Sequence, residues 1–171
     1  DRDGDLDAYL LGNSPAEFAR GETGQPSFSQ GSANPAGFDQ LYRNEGDGTF
    51  RNVSEEAGIV RRLGYGLGVV TADLNRDGWP DIYVSNDIAP NDVLYVNNGD
   101  GTFTDRAADW LDHTSFAGMG IDIADFNNDG WPDIVQSDMM PPDLAERKRV
   151  SGTSTIAALE ALRSRGFFPQ Y

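Results

Sequence analysis

The sequence predicts an all-β fold: a partial β-propeller of roughly two to three blades, each with four antiparallel strands, and a helical insertion near the C-terminus. Three observations support this fold class. The sequence repeats with a period of 52 residues, measured between Asp73 and Asp125. Short apolar segments alternate with Gly-rich turns, and the 171 residues include 20 Gly and 9 Pro. Frequent turn residues favour short strands, and a period of roughly 40 to 55 residues is typical of a propeller blade.

Two repeats align almost residue for residue. The first consists of LYRNEGDGTFRNVSEEAG (41–58) and GLGVVTADLNRDGWPDIYVSND (66–87). The second consists of LYVNNGDGTFTDRAADW (94–110) and GMGIDIADFNNDGWPDIVQSD (118–138). A β-sandwich or barrel with two similar hairpins is the alternative, although sandwiches rarely repeat turn sequence and spacing this closely.

The pattern divides the chain into four segments. The division is a partial blade with a long Gly-, Ser- and Pro-rich loop (1–40), two repeats (41–93 and 94–142), and a helical insertion that leads into the next blade (143–171). The apolar and β-branched runs predict the four strands of one blade at 67–74, 81–85, 92–97 and 102–105. Within the insertion, 143–150 and 155–165 have helix-forming composition.

The composition excludes several functional classes. The 13 Lys and Arg against 28 Asp and Glu give a net charge of −15, which argues against nucleic acid binding and favours cations as partners. Hydrophobic residues make up 38% of the chain, too many for a disordered acidic tail. The lack of Cys excludes disulfides, thiolate zinc sites and cysteine nucleophiles. No apolar run in the sequence approaches the roughly 18 residues of a transmembrane segment.

Two acidic loops carry the strongest chemical signal. DLNRDGWPD (73–81) and DFNNDGWPD (125–133) place oxygen-bearing side chains at loop positions 1, 3, 5 and 9, with Gly at position 6. A hard divalent cation takes roughly six to eight oxygen ligands, which a tight loop supplies from alternate side chains. The candidate ligands are the side chains of Asp73, Asn75, Asp77 and Asp81 with the Trp79 carbonyl, and the side chains of Asp125, Asn127, Asp129 and Asp133 with the Trp131 carbonyl.

A third, incomplete loop begins the chain. Asp1, Asp3 and Asp7 stand at loop positions 3, 5 and 9, with Gly4 at position 6, and they are candidate metal ligands as well. Loop position 1 would precede residue 1, so this loop offers fewer ligands. Because the motif is cut, we expect the chain to be a segment of a longer propeller whose remaining blades are its natural partners.

Calcium is the predicted cation. The loops offer many oxygens without octahedral rigidity, which favours Ca²⁺ over Mg²⁺, and a chain with no Cys and one His is a poor zinc ligand. An EF-hand needs Glu at position 12 and flanking helices, whereas position 12 is Val84 or Gln136 and the flanks predict strands. The remaining alternative is that the loops are ordinary Asn/Asp/Gly turns without a metal.

The doubled motif also resembles a known family. GYGLGVVTADLNRDGWPDIYV is similar to the FG-GAP (VCBS-type) repeat of integrin-α-like β-propellers. NNGDGTFTD and SDMMPPDLAERKR resemble proteins of the ASPIC type, which join such a propeller to a C-terminal UnbV-like domain. The resemblance implies an exported, seven-bladed propeller with calcium in its inter-strand loops, used in binding or adhesion.

Two functions remain open at this point. The favoured one is a non-enzymatic, calcium-stabilised module, extracellular, periplasmic or at the cell surface, that binds a protein or glycan or acts as a scaffold. The alternative is part of a calcium-dependent propeller enzyme, a polysaccharide lyase or hydrolase, with its catalytic residues outside this chain. His113 lies beside Asp112 and Ser115, but members of a catalytic triad converge from distant loops, so their adjacency in sequence does not indicate one.

Overall fold

The computed structural model describes residues 1–13, 37–60, 64–87, 91–115, 117–139, 143 and 145–146. The predicted Gly-, Ser- and Pro-rich loop, residues 15–38, lies outside the described residues except at positions 37 and 38. The predicted helical insertion also lies outside them, apart from three residues. Within the described ranges, no helix has the length and apolarity needed to cross a membrane.

Three antiparallel sheets form the described part of the chain. The first has strands β1 (Ala8–Leu10), β2 (Gln40–Asn44) and β3 (Phe50–Asn52) in the order β1-β2-β3. The second has β4 (Gly66–Ala72), β5 (Asp81–Asn86), β6 (Val93–Asn97) and β7 (Phe103–Asp105), followed by the short helix α1 (Ala107–Trp110). The third has β8 (Gly118–Ala124) and β9 (Asp133–Asp138). The chain is thus mostly β, and the predicted partial β-propeller is confirmed.

The second sheet is a complete four-stranded blade. Its strands pair with their sequence neighbours in the order β4-β5-β6-β7, as the apolar runs and Gly-rich turns predict. By sequence alignment, β1, β2 and β3 correspond to β5, β6 and β7, while β8 and β9 correspond to β4 and β5. The first and second sheets therefore combine the second half of one sequence repeat with the first half of the next, and the described strands of the third sheet come from the second half of one repeat.

Neighbouring sheets are joined by the same backbone contact at equivalent positions. An isolated antiparallel bridge links Asn13, which follows β1, to Tyr65, which precedes β4. A second bridge links Asp87, which follows β5, to Ala117, which precedes β8. The repeated bridge shows that the first sheet meets the second much as the second meets the third, which is the arrangement of consecutive propeller blades.

Two apolar clusters cover the two faces of the second sheet. Ile82 and Val84 of β5 pack with Leu41 and Val53 of the first sheet region. Tyr83, which points to the opposite face, belongs to a cluster that includes residues of β8 and β9. Because alternate residues of a strand face opposite sides, burial on both faces leaves every residue of β5 and β6 buried. The middle blade thus receives its core from both of its neighbours.

A buried tyrosine–aspartate pair closes the hairpin in two of the sheets. The Tyr83 hydroxyl donates to Asp92 Oδ2 at 3.0 Å, and the Asn86 amide donates to Asp92 Oδ1 at 2.7 Å. In the first sheet the equivalent residues, Tyr9 and Asp39, are joined at 2.8 Å. Burial raises the pKa of each of these aspartates and of each tyrosine, so both hydroxyls remain protonated donors. The sequence analysis missed this pair.

The Tyr83→Phe substitution should destabilise the blade measurably. It removes the hydroxyl donor while Asp92, which is 2% exposed, keeps its need for hydrogen bonds. We expect the free energy of unfolding to fall by about 1 to 3 kcal/mol in urea denaturation. The matched control is Tyr42→Phe, which removes a hydroxyl bonded to the half-buried Gln40 side chain. An equal loss in both variants would contradict a special role for the pair.

The Asp92→Asn substitution should change the dependence of stability on pH. Burial holds the pKa of Asp92 above its unfolded value near 3.9, despite opposing hydrogen bonds from Asn86, Gln136 and Tyr83. The ionised carboxylate therefore costs stability above the folded pKa, and this cost disappears as the pH falls below the unfolded pKa. We expect the stability of Asp92→Asn relative to the unsubstituted chain to be greater at pH 7 than at pH 4. Urea denaturation at both pH values tests this, because pH-independent packing changes cancel. A difference that is constant, or larger at pH 4, would contradict it.

Candidate metal centre

The acidic loops connect the strands at equivalent ends of their sheets. One loop joins β4 to β5, another joins β8 to β9, and the incomplete one precedes β1. Asp81 and Asp133, at loop position 9, are the first residues of β5 and β9. The predicted strands on both sides of each loop are therefore present, and the flanking helices of an EF-hand are replaced by strands.

Side chains inside the loop 73–81 fold back onto its own backbone. Asp73 Oδ2 accepts a hydrogen bond from the Gly78 amide at 2.8 Å, and Asn75 Oδ1 accepts one from the Asp77 amide at 2.9 Å. Asp77 Oδ1 accepts the Trp79 amide at 2.8 Å. The Asn75 amide group donates to Asp77 Oδ2 at 2.8 Å. The side chains at loop positions 1, 3 and 5 therefore point inward, toward the backbone of the same loop.

The loop 125–133 repeats these contacts. Asp125 Oδ2 accepts the Gly130 amide, Asn127 Oδ1 accepts the Asp129 amide, and Asp129 Oδ1 accepts the Trp131 amide, each at 2.8 Å. Gly130 has a φ of +86°, identical to that of Gly78, and this left-handed turn is one that glycine adopts without strain. The two loops thus share one backbone geometry.

The incomplete first loop follows the same pattern where its residues exist. Asp1 Oδ1 accepts the Asp3 amide and Asp3 Oδ1 accepts the Asp5 amide, each at 3.1 Å. Asp7 Oδ1 accepts the Asn44 amide at 2.9 Å. The candidate ligands Asp1, Asp3 and Asp7 therefore accept hydrogen bonds equivalent to those of their counterparts, although Asp7 is exposed whereas Asp81 is fully buried.

Asp81 anchors its loop to the sheet. Its side chain is fully buried, and its two oxygens accept the Leu74 amide at 3.0 Å and the Asn97 amide at 2.9 Å. Burial raises the pKa of Asp81, these two donors lower it, and the charges of Asp77 and Asp73 raise it further. In the third sheet, Asp133 Oδ2 accepts the Phe126 amide at 3.1 Å. Position 9 thus holds a carboxylate that spans the loop and the sheet.

A cation would satisfy an oxygen that the protein leaves unpaired. In the described part of the chain, the buried side-chain atoms without a hydrogen-bond partner are Asp73 Oδ1 and Asp87 Oδ1. Asp73 occupies loop position 1, and a buried carboxylate oxygen without a partner is costly. The oxygens at positions 3, 5 and 9 each accept amide donors but retain acceptor capacity, since a carboxylate has about four lone-pair sites. The donor set is therefore the hard oxygen set that Ca²⁺ prefers.

The carboxylates of each loop do not form a ready-made cage by themselves. Over the described ranges, no group of three or more His, Cys, Asp or Glu side chains is placed so that it could hold a metal. Asparagine and backbone oxygens, together with a small inward movement of the carboxylates, would have to complete the coordination. Such a rearrangement opposes binding and lowers the affinity.

The Gly-rich turns that follow β2 and β6 have a structural explanation. Asp100 Oδ1 accepts both the amide and the hydroxyl of Thr102, at 3.0 and 2.6 Å, and Asp47 does the same with Thr49. The threonine hydroxyl lowers the pKa of both aspartates. The repeated DGT sequence therefore encodes a tight turn, and Asp47 and Asp100 belong to that turn.

Two arginines in the acidic loops were missed by the sequence analysis. Arg2 and Arg76 occupy loop position 4, and each guanidinium lies over the tryptophan ring of the following loop, Trp79 or Trp131. An Arg at this position in DLNRDGWPD and DRDG was the available signal, but the partner ring lies more than fifty residues away. The tryptophans therefore contact the neighbouring loop.

The residues considered for nucleophilic catalysis do not assemble. His113 is exposed, and the Ser115 hydroxyl donates to Asp138 on β9. This arrangement gives no support to a Ser–His–Asp triad at these positions.

Comparison with known proteins shows relatives of two kinds. The chain is 40% identical to cartilage acidic protein 1 of Homo sapiens over 93 residues, which is 54% of this chain and 14% of that protein. It is 28% identical to integrin alpha-3 of Mus musculus over 105 residues, covering 55% of this chain and 10% of that protein. It is 33% identical to integrin alpha-6 of Homo sapiens over 93 residues, covering 48% and 8%. The chain thus spans a small part of the length of these relatives.

The family model described as FG-GAP-like repeat matches residues 1–84 and again residues 73–135. The two matches together include all three acidic loops and extend over most of the chain. The chain belongs to the FG-GAP-like repeat family.

Proposed function

We propose that the chain is a calcium-binding part of an extracellular or cell-surface β-propeller that acts as a non-enzymatic binding, adhesion or scaffold module. Calcium is the proposed cofactor. The observation that carries the proposal is the buried Asp73 Oδ1, which lacks a hydrogen-bond partner at position 1 of a loop that recurs with one geometry. The residues proposed to hold the cation are the ten ligands of the loops 73–81 and 125–133, with Asp1, Asp3 and Asp7 in the incomplete loop.

Charge supports the proposal independently. Each complete loop crowds three carboxylates into nine residues of a chain with a net charge of −15. A bound Ca²⁺ supplies two positive charges that offset most of the repulsion between those carboxylates. The loop residues themselves hold the backbone in the turn through side-chain-to-amide hydrogen bonds, so the cation adds stability to a turn that is already formed. Because binding requires the folded loop, metal stabilises the folded state by linkage.

The proposed binding role rests on the relatives and on the surface beside the loops. The relatives are integrin alpha chains and cartilage acidic protein 1 of animals. From them we extend an extracellular or cell-surface location to this chain. A cavity of about 540 Å³ opens between the first two sheets, lined by Arg2, Arg43, Trp79 and Phe103 among others. Aromatic rings and guanidinium groups suit a protein or glycan ligand. The remaining blades of the longer propeller are the other proposed partners.

Calcium should raise the thermal stability of the chain. Saturation of one site at about 100 times its Kd contributes about 2.7 kcal/mol, so the two complete loops contribute about 5.4 kcal/mol, which corresponds to a rise in Tm of about 10 to 20 °C for a chain of this size. We expect this rise in differential scanning calorimetry with CaCl₂, its reversal by EDTA, and a smaller rise with MgCl₂ at the same concentration. Equal Tm values in calcium and in EDTA would contradict calcium binding.

The Asp77→Ala substitution should reduce this stabilisation by about half. It removes the carboxylate at position 5 of one loop and leaves the loop 125–133 intact, so one complete site remains. Asp129→Ala should have the same effect through the other loop. Asp112→Ala is the control, since it removes the same charge from an exposed residue outside the loops. A calcium-dependent rise in Tm that is unchanged by Asp77→Ala, or reduced equally by Asp112→Ala, would count against the assigned ligands.

A further inference from the structure

Arginines at loop position 4 form the same long-range contact twice. The guanidinium carbon of Arg2 lies 4.3 Å from the ring centroid of Trp79, and that of Arg76 lies 4.5 Å from the ring centroid of Trp131. Both distances are within the range of a cation–π interaction. In each case the arginine belongs to one acidic loop and the tryptophan is residue 7 of the next. The contact therefore links consecutive loops in one direction along the chain.

The same arginines also touch the glycine that precedes each tryptophan. Arg76 Nη2 donates a hydrogen bond to the Gly130 carbonyl. A methyl group added at Gly78 would overlap the guanidinium of Arg2. The indole of Trp79 also lies against Gly99, where an added Cβ would lie 2.9 Å from Trp79 Nε1. Each arginine thus packs against loop positions 6 and 7 of the following loop, where the proposed carbonyl ligand is located.

The backbone at loop position 4 indicates that the arginine side chain contributes to the fold. Arg2, Arg76 and Asn128 have φ values of 67°, 63° and 59°, and in the described part of the chain they are the non-glycine residues with positive φ. Asn adopts this left-handed conformation more readily than Arg does. The loop backbone dictates the conformation in all three cases, so the cost of placing Arg there is offset by what its side chain contacts.

We propose that Arg76 is a positioning residue that raises the cation affinity of the loop that follows it, 125–133, by holding the backbone of Gly130 and Trp131. Arg2 does the same for the loop 73–81. The coupling rests on the proposed calcium binding and deepens it: occupancy of one loop depends on a side chain supplied by the loop before it. The arginine does not coordinate the cation.

Electrostatic repulsion opposes this effect but is the smaller contribution. The guanidinium and a cation in the next loop both carry positive charge. Trp131 is 52% exposed, so the contact lies in water, and the high dielectric constant of water weakens the repulsion between the two cations. The ring stacking and the hydrogen bond to Gly130 act at contact distance. Removal of Arg76 should therefore weaken cation binding by the next loop.

Terbium luminescence can report the two complete loops in the full chain once each reporter is verified, because Trp79 and Trp131 also contact Arg2 and Arg76 of the preceding loops. Tb³⁺ replaces Ca²⁺ in oxygen sites and emits when a nearby tryptophan is excited. The chain has three tryptophans, so Trp79→Phe with Trp110→Phe leaves Trp131 as the single reporter, and Trp110→Phe with Trp131→Phe leaves Trp79. The incomplete loop carries Asp5 at position 7 and lacks a tryptophan of its own, and Asp3→Ala in the Trp79 background tests whether Trp79 also responds to it. Asp129→Ala in the Trp131 background should abolish the saturable signal, which verifies the reporter.

The Arg76→Asn substitution is the decisive variant. It installs asparagine, the residue that the loop 125–133 has at the same position, as Asn128. The left-handed backbone of the loop 73–81 is therefore retained. We expect the TbCl₃ midpoint reported by Trp131 to rise about 5- to 10-fold, the order supplied by one cation–π contact with a hydrogen bond. The midpoint reported by Trp79 should change less than about twofold. Arg2→Asn should give the reciprocal pattern. A purely structural role would lower Tm and shift both midpoints equally.

Arg76→Lys separates the loss of charge from the loss of the planar group. Lysine keeps the positive charge but lacks the planar group. A TbCl₃ midpoint reported by Trp131 that rises in this variant as well therefore supports positioning by the guanidinium. An unchanged or lower midpoint at Trp131 in Arg76→Asn overturns the coupling while leaving calcium binding in place. Absence of any saturable terbium signal in the reporter chains, with no calcium-dependent rise in Tm, overturns the proposed function and the coupling with it.

Discussion

The buried carboxylate of Asp81 is the contact on which the acidic loop and the middle blade both depend. As the first residue of β5, it accepts the Leu74 amide from its own loop and the Asn97 amide from the end of β6. One side chain therefore connects the loop to two adjacent strands. Its pKa is raised because burial and the charges of Asp77 and Asp73 outweigh the two donors. This electrostatic cost accompanies a fixed loop geometry. In the incomplete loop, the equivalent residue Asp7 accepts the amide of Asn44.

This arrangement explains why the two complete loops share one backbone shape. Each side chain at positions 1, 3 and 5 accepts an amide donor two to five residues further along, so the turn is formed by local hydrogen bonds. Those bonds leave two unfavourable features in place. The carboxylates repel one another, and Asp73 Oδ1 has no hydrogen-bond partner. The backbone of the proposed site is thus pre-organised by hydrogen bonds. A hard dication would offset the negative charge of the carboxylates and would not be needed to form the turn.

Local signals predicted the strands and the loops, whereas contacts between distant residues escaped. Strands β4 to β7 follow from apolar runs separated by Gly-rich turns, and loop positions 1 to 9 follow from residue spacing alone. The offset between sheet and repeat was also indicated, because the strands predicted for one blade at 67–74, 81–85, 92–97 and 102–105 cross the boundary between the two repeats. The Tyr83–Asp92 pair left a faint signal in DIY and DVL, but its counterpart Tyr9–Asp39 is separated by a long intervening segment. The helical insertion stays a prediction.

The arginine–tryptophan contacts show how a repeat protein can couple its sites without a continuous core. In such an architecture each unit contacts only its neighbours, so stability is approximately a sum of unit terms and interface terms. The apolar clusters on both faces of the second sheet provide one interface term. The stacking of Arg76 on Trp131 adds another, at the edge where the acidic loops lie. Because the arginine comes from one loop and the tryptophan from the next, this second interface term has a direction along the chain. Under the proposed coupling, each loop is shaped by the loop before it, and the cation affinity of the array depends on the order of its repeats as well as on their individual ligands.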